Sequence, residues 1–219
     1  MVAVDGPSGS GKSTVSRKLA AELTAAYLDT GAMYRAVTWA VLRAGADLAD
    51  PETIAKIATD VALDCGTDPA APHIRVDGEP VDGPIRGPAV TAAVSTVAAV
   101  PSVRRLLVAR QREIIAGKDR IVVEGRDIGT VVAPEADLKV FLTAAPGERA
   151  RRRSSQDATD PRATAADLAR RDRLDSSRTA DPLKRAEDAV ELDTTTMGVD
   201  RVVAAVRDLL AARVGEHRE

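Results

Sequence analysis

Lys12 and Ser13 close the octapeptide Gly6-Pro7-Ser8-Gly9-Ser10-Gly11-Lys12-Ser13, which fits the pattern G-x-x-x-x-G-K-[ST] at every fixed position. In such a turn the backbone N–H groups cradle a polyphosphate. The lysine ammonium reaches the β- and γ-phosphates, and the serine hydroxyl ligates the accompanying Mg²⁺. Thr14, next in the chain, belongs to the same phosphate-binding segment. The chemistry requires a strand to deliver the turn and a helix whose positive N-terminal end supports the anion. Apolar residues 2–4 supply the strand and residues 14–23 the helix. Asp5, beside the loop, has two readings: it holds a magnesium-bound water, or it is a structural hydrogen-bonding residue.

Further elements must position this loop. Short apolar runs recur at residues 2–4, 26–28, 121–123, 138–142 and 189–192, with helical patterns between them. That alternation predicts an α/β fold with a parallel five-stranded sheet flanked by helices and ligands gathered at the carboxyl ends of its strands. Residues 63–88 interrupt the pattern. There Asp77-Gly78 sits between two short extended runs, which predicts a hairpin in a small antiparallel insertion on the main sheet. Residues 147–179 interrupt it again, are rich in arginine and offer mainly Leu168 and Leu174 as core candidates. This second interruption is expected to project as a helical lid. The resulting division is a core of about 1–30, 89–146 and 180–219, an intervening region of about 31–88, and a lid of about 147–179.

With 219 residues, 44% apolar and 29% charged, the chain can bury one substantial core. Thirty-one basic residues against 33 acidic ones, with 2% aromatics, argue against a nucleic-acid-binding surface. The single cysteine, Cys65, excludes an intramolecular disulfide, and zinc-ligand spacing is absent. No targeting region or membrane-spanning run is visible, so a cytoplasmic monomer without membrane partners is expected.

A phosphate loop by itself leaves motion, switching and phosphoryl transfer open. The Asn-Lys-x-Asp motif of GTPases and the Leu-Ser-Gly-Gly-Gln signature of transporter ATPases are absent. Arginines near strand ends and in the lid suit transfer between two anionic substrates, because cations must offset repulsion and stabilise the transferring group. In the lid, Thr164-Ala165-Ala166-Asp167 resembles a capping box that starts a helix running through about Leu174. Arg171, Asp175 and Arg178 then share one face, either as a functional group or as a solvated, ion-paired surface.

Four segments together resemble bacterial cytidylate kinases, which are phosphate-loop nucleoside monophosphate kinases. They are the phosphate loop, Leu28-Asp29-Thr30-Gly31-Ala32-Met33-Tyr34-Arg35, Glu124-Gly125-Arg126-Asp127-Ile128-Gly129-Thr130, and Arg171-Asp172-Arg173-Leu174-Asp175-Ser176-Ser177-Arg178. The resemblance covers nearly the whole chain and implies transfer of the ATP γ-phosphoryl to CMP or dCMP with Mg²⁺. It further implies that Arg35 and Arg126 grip the acceptor phosphate, that Ser95, Arg104 and Asp127 read cytosine, and that Thr30 lines the acceptor site. Arg171 and Asp175 would address the ribose, Arg178 would approach the phosphates, and Arg149 and Arg153 would close over ATP. Lys12, Arg126, Arg153 and Arg178 form the implied catalytic set. The chain departs from the family pattern at Glu124, where such kinases often carry Asp.

The nucleobase chemistry agrees with that carry-over. Cytosine offers a 4-amino donor, which suits the Asp127 carboxylate, whereas uracil offers a carbonyl oxygen there. Cytosine N3 and O2 accept hydrogen bonds, which Arg104 and Ser95 can donate. The competing expectations are a kinase of another small metabolite, such as shikimate or dephospho-coenzyme A, and a slow ATP-hydrolysing switch.

Overall fold

A computed structural model describes residues 1–157 and 160–216 of the chain. The chain opens with strand β1 (Val2–Asp5), helix α1 (Lys12–Glu22), strand β2 (Ala26–Asp29) and helices α2 (Thr30–Arg43) and α3 (Pro51–Asp60). Short strands β3 (Leu63–Cys65), β4 (Ile74–Val76) and β5 (Glu79–Pro80) lead into helices α4 (Pro88–Ala98) and α5 (Pro101–Ala116). Strand β6 (Ile121–Glu124), one π-helical turn (Ile128–Val132), strand β7 (Leu138–Thr143) and helices α6 (Pro146–Asp157) and α7 (Pro161–Ser177) follow. Strand β8 (Val190–Asp193) and helix α8 (Val199–Glu216) complete the order. Five of these helices begin with proline, whose fixed φ and missing N–H suit the first helical position.

Strands β2-β6-β1-β7-β8 form one parallel sheet, so β1 sits at its centre. Residues alternate across β1. Val2 and Val4 pack with Val15 and Leu19 of α1 and Val202, Val203 and Val206 of α8, while Ala3 faces the cluster built around α2 and α5. Both faces are therefore covered, which is why the core strands read as continuous aliphatic runs. The scarcity of aromatics leaves Val, Leu, Ile and Ala to fill these layers, each fully buried Val or Leu contributing about 1.5–3 kcal/mol. No single helix among the described residues is long and apolar enough to cross a bilayer.

The hairpin forms where Asp77-Gly78 predicts it. Both residues have positive φ, 51° and 82°, as a two-residue primed turn requires. The insertion does not extend the main sheet, however. Strands β3, β4 and β5 make a separate antiparallel sheet, whose Leu63, Ile74 and Val76 pack in the core cluster with Val37 and Val41 of α2. Its apolar side chains are satisfied by that helix, so no strand edge of the main sheet is needed.

The lid helix also begins earlier than expected. Asp160 is its cap, accepting from the Arg162 and Ala163 amides at 2.8 and 2.9 Å, and Pro161 opens the first turn. Thr164 lies inside the helix and donates back to the Asp160 carbonyl. An Asp-Pro start combines a strong cap with a preset φ, and it outcompetes the Thr-x-x-Asp pattern. Leu168 is buried as expected, but Leu174 is 40% exposed because that helix face points to solvent.

At the entrance to the phosphate loop, Gly6 has φ +144°, and a Cβ there would lie 2.1 Å from the Leu142 carbonyl oxygen on β7. Backbone, not a flexible side chain, fills that space. Gly6→Ala is expected to lower the melting temperature by about 10 °C or more, or to prevent soluble folding, because β1 and β7 would have to separate. An unchanged melting temperature would contradict this packing.

Candidate active site

The phosphate loop leaves the carboxyl end of the central strand and enters α1, as its chemistry requires. Lys12 is buried, and its ammonium donates to the Pro7 carbonyl at 2.7 Å, folding the side chain back over the loop. Burial, reinforced by the neighbouring Arg126 charge, pushes its pKa downward. Ser13 Oγ donates to Glu124 Oε2 at 2.9 Å, and Tyr27 donates its phenolic hydrogen to the other Glu124 oxygen. Burial and the Asp29 charge push the Glu124 carboxyl upward, against the pull of Lys12 and these hydroxyls. Strand β6 thus ends in a carboxylate held beside the loop serine.

Asp5 does different work. Its two carboxylate oxygens accept from the amides of Ile128 and Gly129 at 2.9 and 2.8 Å, capping the π-helical turn after Asp127. This is the structural reading of Asp5, and the carboxylate that meets Ser13 is Glu124. Burial raises the Asp5 pKa to about 6 even though both amides favour its charge.

The phosphate loop opens into a cleft of about 900 Å³. Arg35, Arg126, Arg153, Arg171 and Arg178 line it together with Lys12. Arg35, fixed by the Ile85 carbonyl and Thr91 hydroxyl at 2.9 and 3.0 Å, has its pKa lowered to about 9 by burial and by Arg171, Arg153 and Arg86. Arg171 is lowered to about 10 by burial and then Arg126, and its Nε is buried without a partner. These cations repel one another in a partly dry cleft. A polyanion bound there would relieve the repulsion, which makes this cleft, lined by Lys12 and several arginines, a candidate anion site.

A second group lies beyond the cations. Arg104 is 2% exposed and lies over the Tyr34 ring, 5.3 Å from its centroid. It is ion-paired with buried Asp127 through a guanidinium nitrogen, while its Nε donates to Asp181 at 2.6 Å. Ser95 Oγ donates to Asp175 at 3.2 Å, and Asp175 also accepts from Arg126 Nε at 3.1 Å. Burial alone would raise the Asp175 pKa, but Arg126, Arg178 and Arg171 outweigh it and hold the carboxylate below its ordinary range. These contacts join α4 directly to helix α7.

The structure assembles most of the expected residues. Ser8, Gly9, Ser10, Gly11, Lys12, Ser13 and Thr14 line the cleft, as do Thr30, Arg35, Ser95, Arg104, Arg126, Asp127, Arg153, Arg171, Asp175 and Arg178. Gly6 and Pro7 belong to the loop but do not line the cleft: Gly6 packs against Leu142 of β7, and the Pro7 carbonyl accepts from Lys12. Arg149 is not brought into the cleft. Its guanidinium donates to the Ser8 carbonyl at 3.2 Å and pairs with Asp172 at 2.6 Å, so it clamps the loop to α7. A Cβ on Gly9 would lie 2.9 Å from the Arg149 carbonyl oxygen, which shows how closely α6 meets the loop.

Arg152 and Thr194 are among the cleft residues that the sequence had not assigned a role. Arg152 donates to the Thr194 hydroxyl at 2.9 Å and its carbonyl at 2.6 Å, and the Thr194 hydroxyl also lies 3.1 Å from the Ser10 carbonyl. Thr194 follows β8, so the last strand of the sheet supports the phosphate loop through one side chain. The signal available in the sequence was only its position after an apolar run. His73 lies in the insertion 3.5 Å from Asp64, and His217 lies outside the described residues.

A parallel sheet with a phosphate loop on its central strand, a cleft lined by cations and the arginine-bearing helices α6 and α7 define a phosphate-loop kinase. The cytidylate kinase family profile matches residues 2–212, and the chain belongs to that family of nucleoside monophosphate kinases. It is 53% identical to a cytidylate kinase of Rhodococcus opacus over 98% of this chain and 96% of the relative. It is also 53% identical to one of Nocardia farcinica, over 98% and 94%. An uncharacterised protein from Eubacterium ventriosum shares the fold, with a TM-score of 0.54 at 10% identity, covering 96% of this chain and 97% of that one.

Proposed function

We propose that the protein transfers the γ-phosphoryl group of ATP to CMP or dCMP, giving ADP and CDP or dCDP. The observation that carries this reading is one cleft joining the phosphate loop to the buried Arg104–Asp127 pair, with Arg35, Arg126 and Arg171 between them. Loop and pair serve donor and acceptor, and the intervening cations lie where charge accumulates during transfer. The regions that close on the two nucleotides are residues 31–88 and 147–179, attached to the remaining core of a monomer acting in the cytoplasm.

The donor occupies the loop, with Lys12 at its β- and γ-phosphates. Arg35 and Arg126 hold the acceptor 5′-phosphate, while Arg171 and Asp175 face its sugar. One anionic acceptor oxygen attacks the γ-phosphorus in line with the leaving oxygen of ADP. That oxygen carries no proton at neutral pH, so no general base is needed. Catalysis rests on orientation and on Lys12, Arg126, Arg153 and Arg178 offsetting charge on the transferring group. Arg149 contributes by locking α6 and α7 onto the loop, which keeps water from the γ-phosphate.

The donor set suits Mg²⁺. Ser13 offers a hydroxyl oxygen and Glu124 a carboxylate in contact with it, both hard ligands. Among the described residues no group of three or more His, Cys, Asp or Glu forms a metal cage, in keeping with an ion held largely by nucleotide phosphates. Ser13 and Glu124 would hold Mg²⁺, which would supply neutralisation of phosphate charge when bound. Tyr27 keeps the longer Glu124 side chain directed at Ser13.

Release of ADP from Mg-ATP should be measured with CMP, dCMP, UMP, AMP and shikimate as acceptors. Rapid turnover with the cytosine nucleotides and much slower turnover with the others is expected. Equal release with and without any monophosphate would sink the kinase reading.

A further inference from the structure

We propose that Asp181, which does not line the cleft, is a positioning residue that fixes Arg104 for base recognition and couples it to the lid through Arg178. The inference rests on the assignment of Arg104 and Asp127 to cytosine. Asp181 lies in the connection between the lid helix and β8, 77 residues from Arg104 in the chain. Its Oδ2 accepts from Arg104 Nε at 2.6 Å, and its backbone carbonyl accepts from Arg178 at 2.8 Å. One residue therefore holds a guanidinium from α5 with its side chain and a guanidinium from the lid with its backbone.

Arg104 has few other constraints on its direction. Its remaining polar contacts are Asp127 and the Ala98 carbonyl at 3.3 Å, with the Tyr34 ring beneath. Without Asp181 the guanidinium plane can rotate about Nε, which moves the N–H groups that would face a base. Arg104 and the half-buried Arg178 repel each other, Arg104 lowering the Arg178 pKa after burial, and Asp181 is among the groups that favour the charged form of Arg104.

The backbone supports a specific role. Asp181 has φ +50°, an uncommon value for a residue with a Cβ, and it precedes Pro182, which favours extended conformations at that position. Such a conformation persists when surrounding contacts over-determine it. The Leu183 amide supplies one by donating to the Asp175 carbonyl at 2.8 Å, which pins the loop to the end of the lid helix. Base site, lid and loop thereby share one junction.

Asp181→Gly separates side chain from backbone, because glycine adopts positive φ freely and lacks the carboxylate. The expected result is a KM for CMP raised about tenfold and a CMP-over-UMP preference narrowed by a similar factor. The KM for ATP and the melting temperature stay near wild type. Asp181→Asn, which keeps an acceptor oxygen and tolerates this φ, should restore most of the preference. Asp127→Ala, measured alongside, tests the base-reading assignment itself. If Asp127→Ala narrows the preference and Asp181→Gly does not, the positioning role is overturned. If neither changes it, the base-reading assignment fails and the inference with it. Equal rises in both KM values with a lowered melting temperature would reduce Asp181 to a structural residue, which also overturns the proposal.

Discussion

Lys12→Ala is expected to lower kcat by about 10²–10³-fold, the usual loss when a preorganised cationic or hydrogen-bonding contact to a charged transition state is removed. The ammonium is buried and bonded to the Pro7 carbonyl, so the loop holds it ready before any substrate binds. Burial and the Arg126 charge push its pKa down against the pull of Glu124, Asp5 and Asp29, so its charge is left in need of compensation. The polyphosphate supplies that compensation, and supplies more as charge shifts towards the leaving β-phosphate oxygens. The KM for ATP should therefore change much less than kcat, because loop amides and arginines remain. Steady-state rates at saturating ATP and CMP, with a melting curve as a folding control, decide the matter. Near-normal turnover would remove Lys12 from the mechanism.

Asp127→Ala should reduce the CMP-over-UMP preference on the order of 10–100-fold, the discrimination carried by one well-formed polar contact to a base edge. On the proposed assignment the carboxylate would accept from a cytosine amino group and repel a uracil carbonyl, so its removal would hurt CMP and relieve UMP. The same change leaves Arg104, 2% exposed, with Asp181 and the Ala98 carbonyl as its polar partners, which adds a cost common to both substrates. The ratio of kcat/KM values is the proper readout, since that common cost cancels in it. Asp127→Asn refines the test: an amide can present either oxygen or N–H, and should raise UMP turnover more than the alanine variant. A ratio unchanged in both variants would reject the role.

Local patterns carried much of the fold. Gly6 to Ser13 located the central strand, the loop and the start of α1, and Asp77-Gly78 located the hairpin turn, because each is set by backbone geometry within a few residues. The separate sheet of the insertion was not legible, since it depends on which surface its strands find. The face shared by Arg171 and Asp175 was legible from helical spacing, whereas its burial against Ser95 and Arg126 required the tertiary structure. Contacts between distant segments were invisible for the same reason. Tyr27 meets Glu124 across 97 residues, and Asp181 meets Arg104 across 77. Arg149 is instructive because the family resemblance implied a nucleotide contact, whereas its contacts with the Ser8 carbonyl and Asp172 depend on packing between distant segments and left no trace in the sequence.

The central claim is that phosphate passes from the loop to an acceptor held by the cations and the Arg104–Asp127 pair. ATP labelled at the γ-phosphate, incubated with the protein, Mg²⁺ and CMP, tests it most directly. The predicted result is label in CDP, one for each ADP formed, with negligible label in inorganic phosphate. Label released as inorganic phosphate at a rate independent of CMP would contradict it.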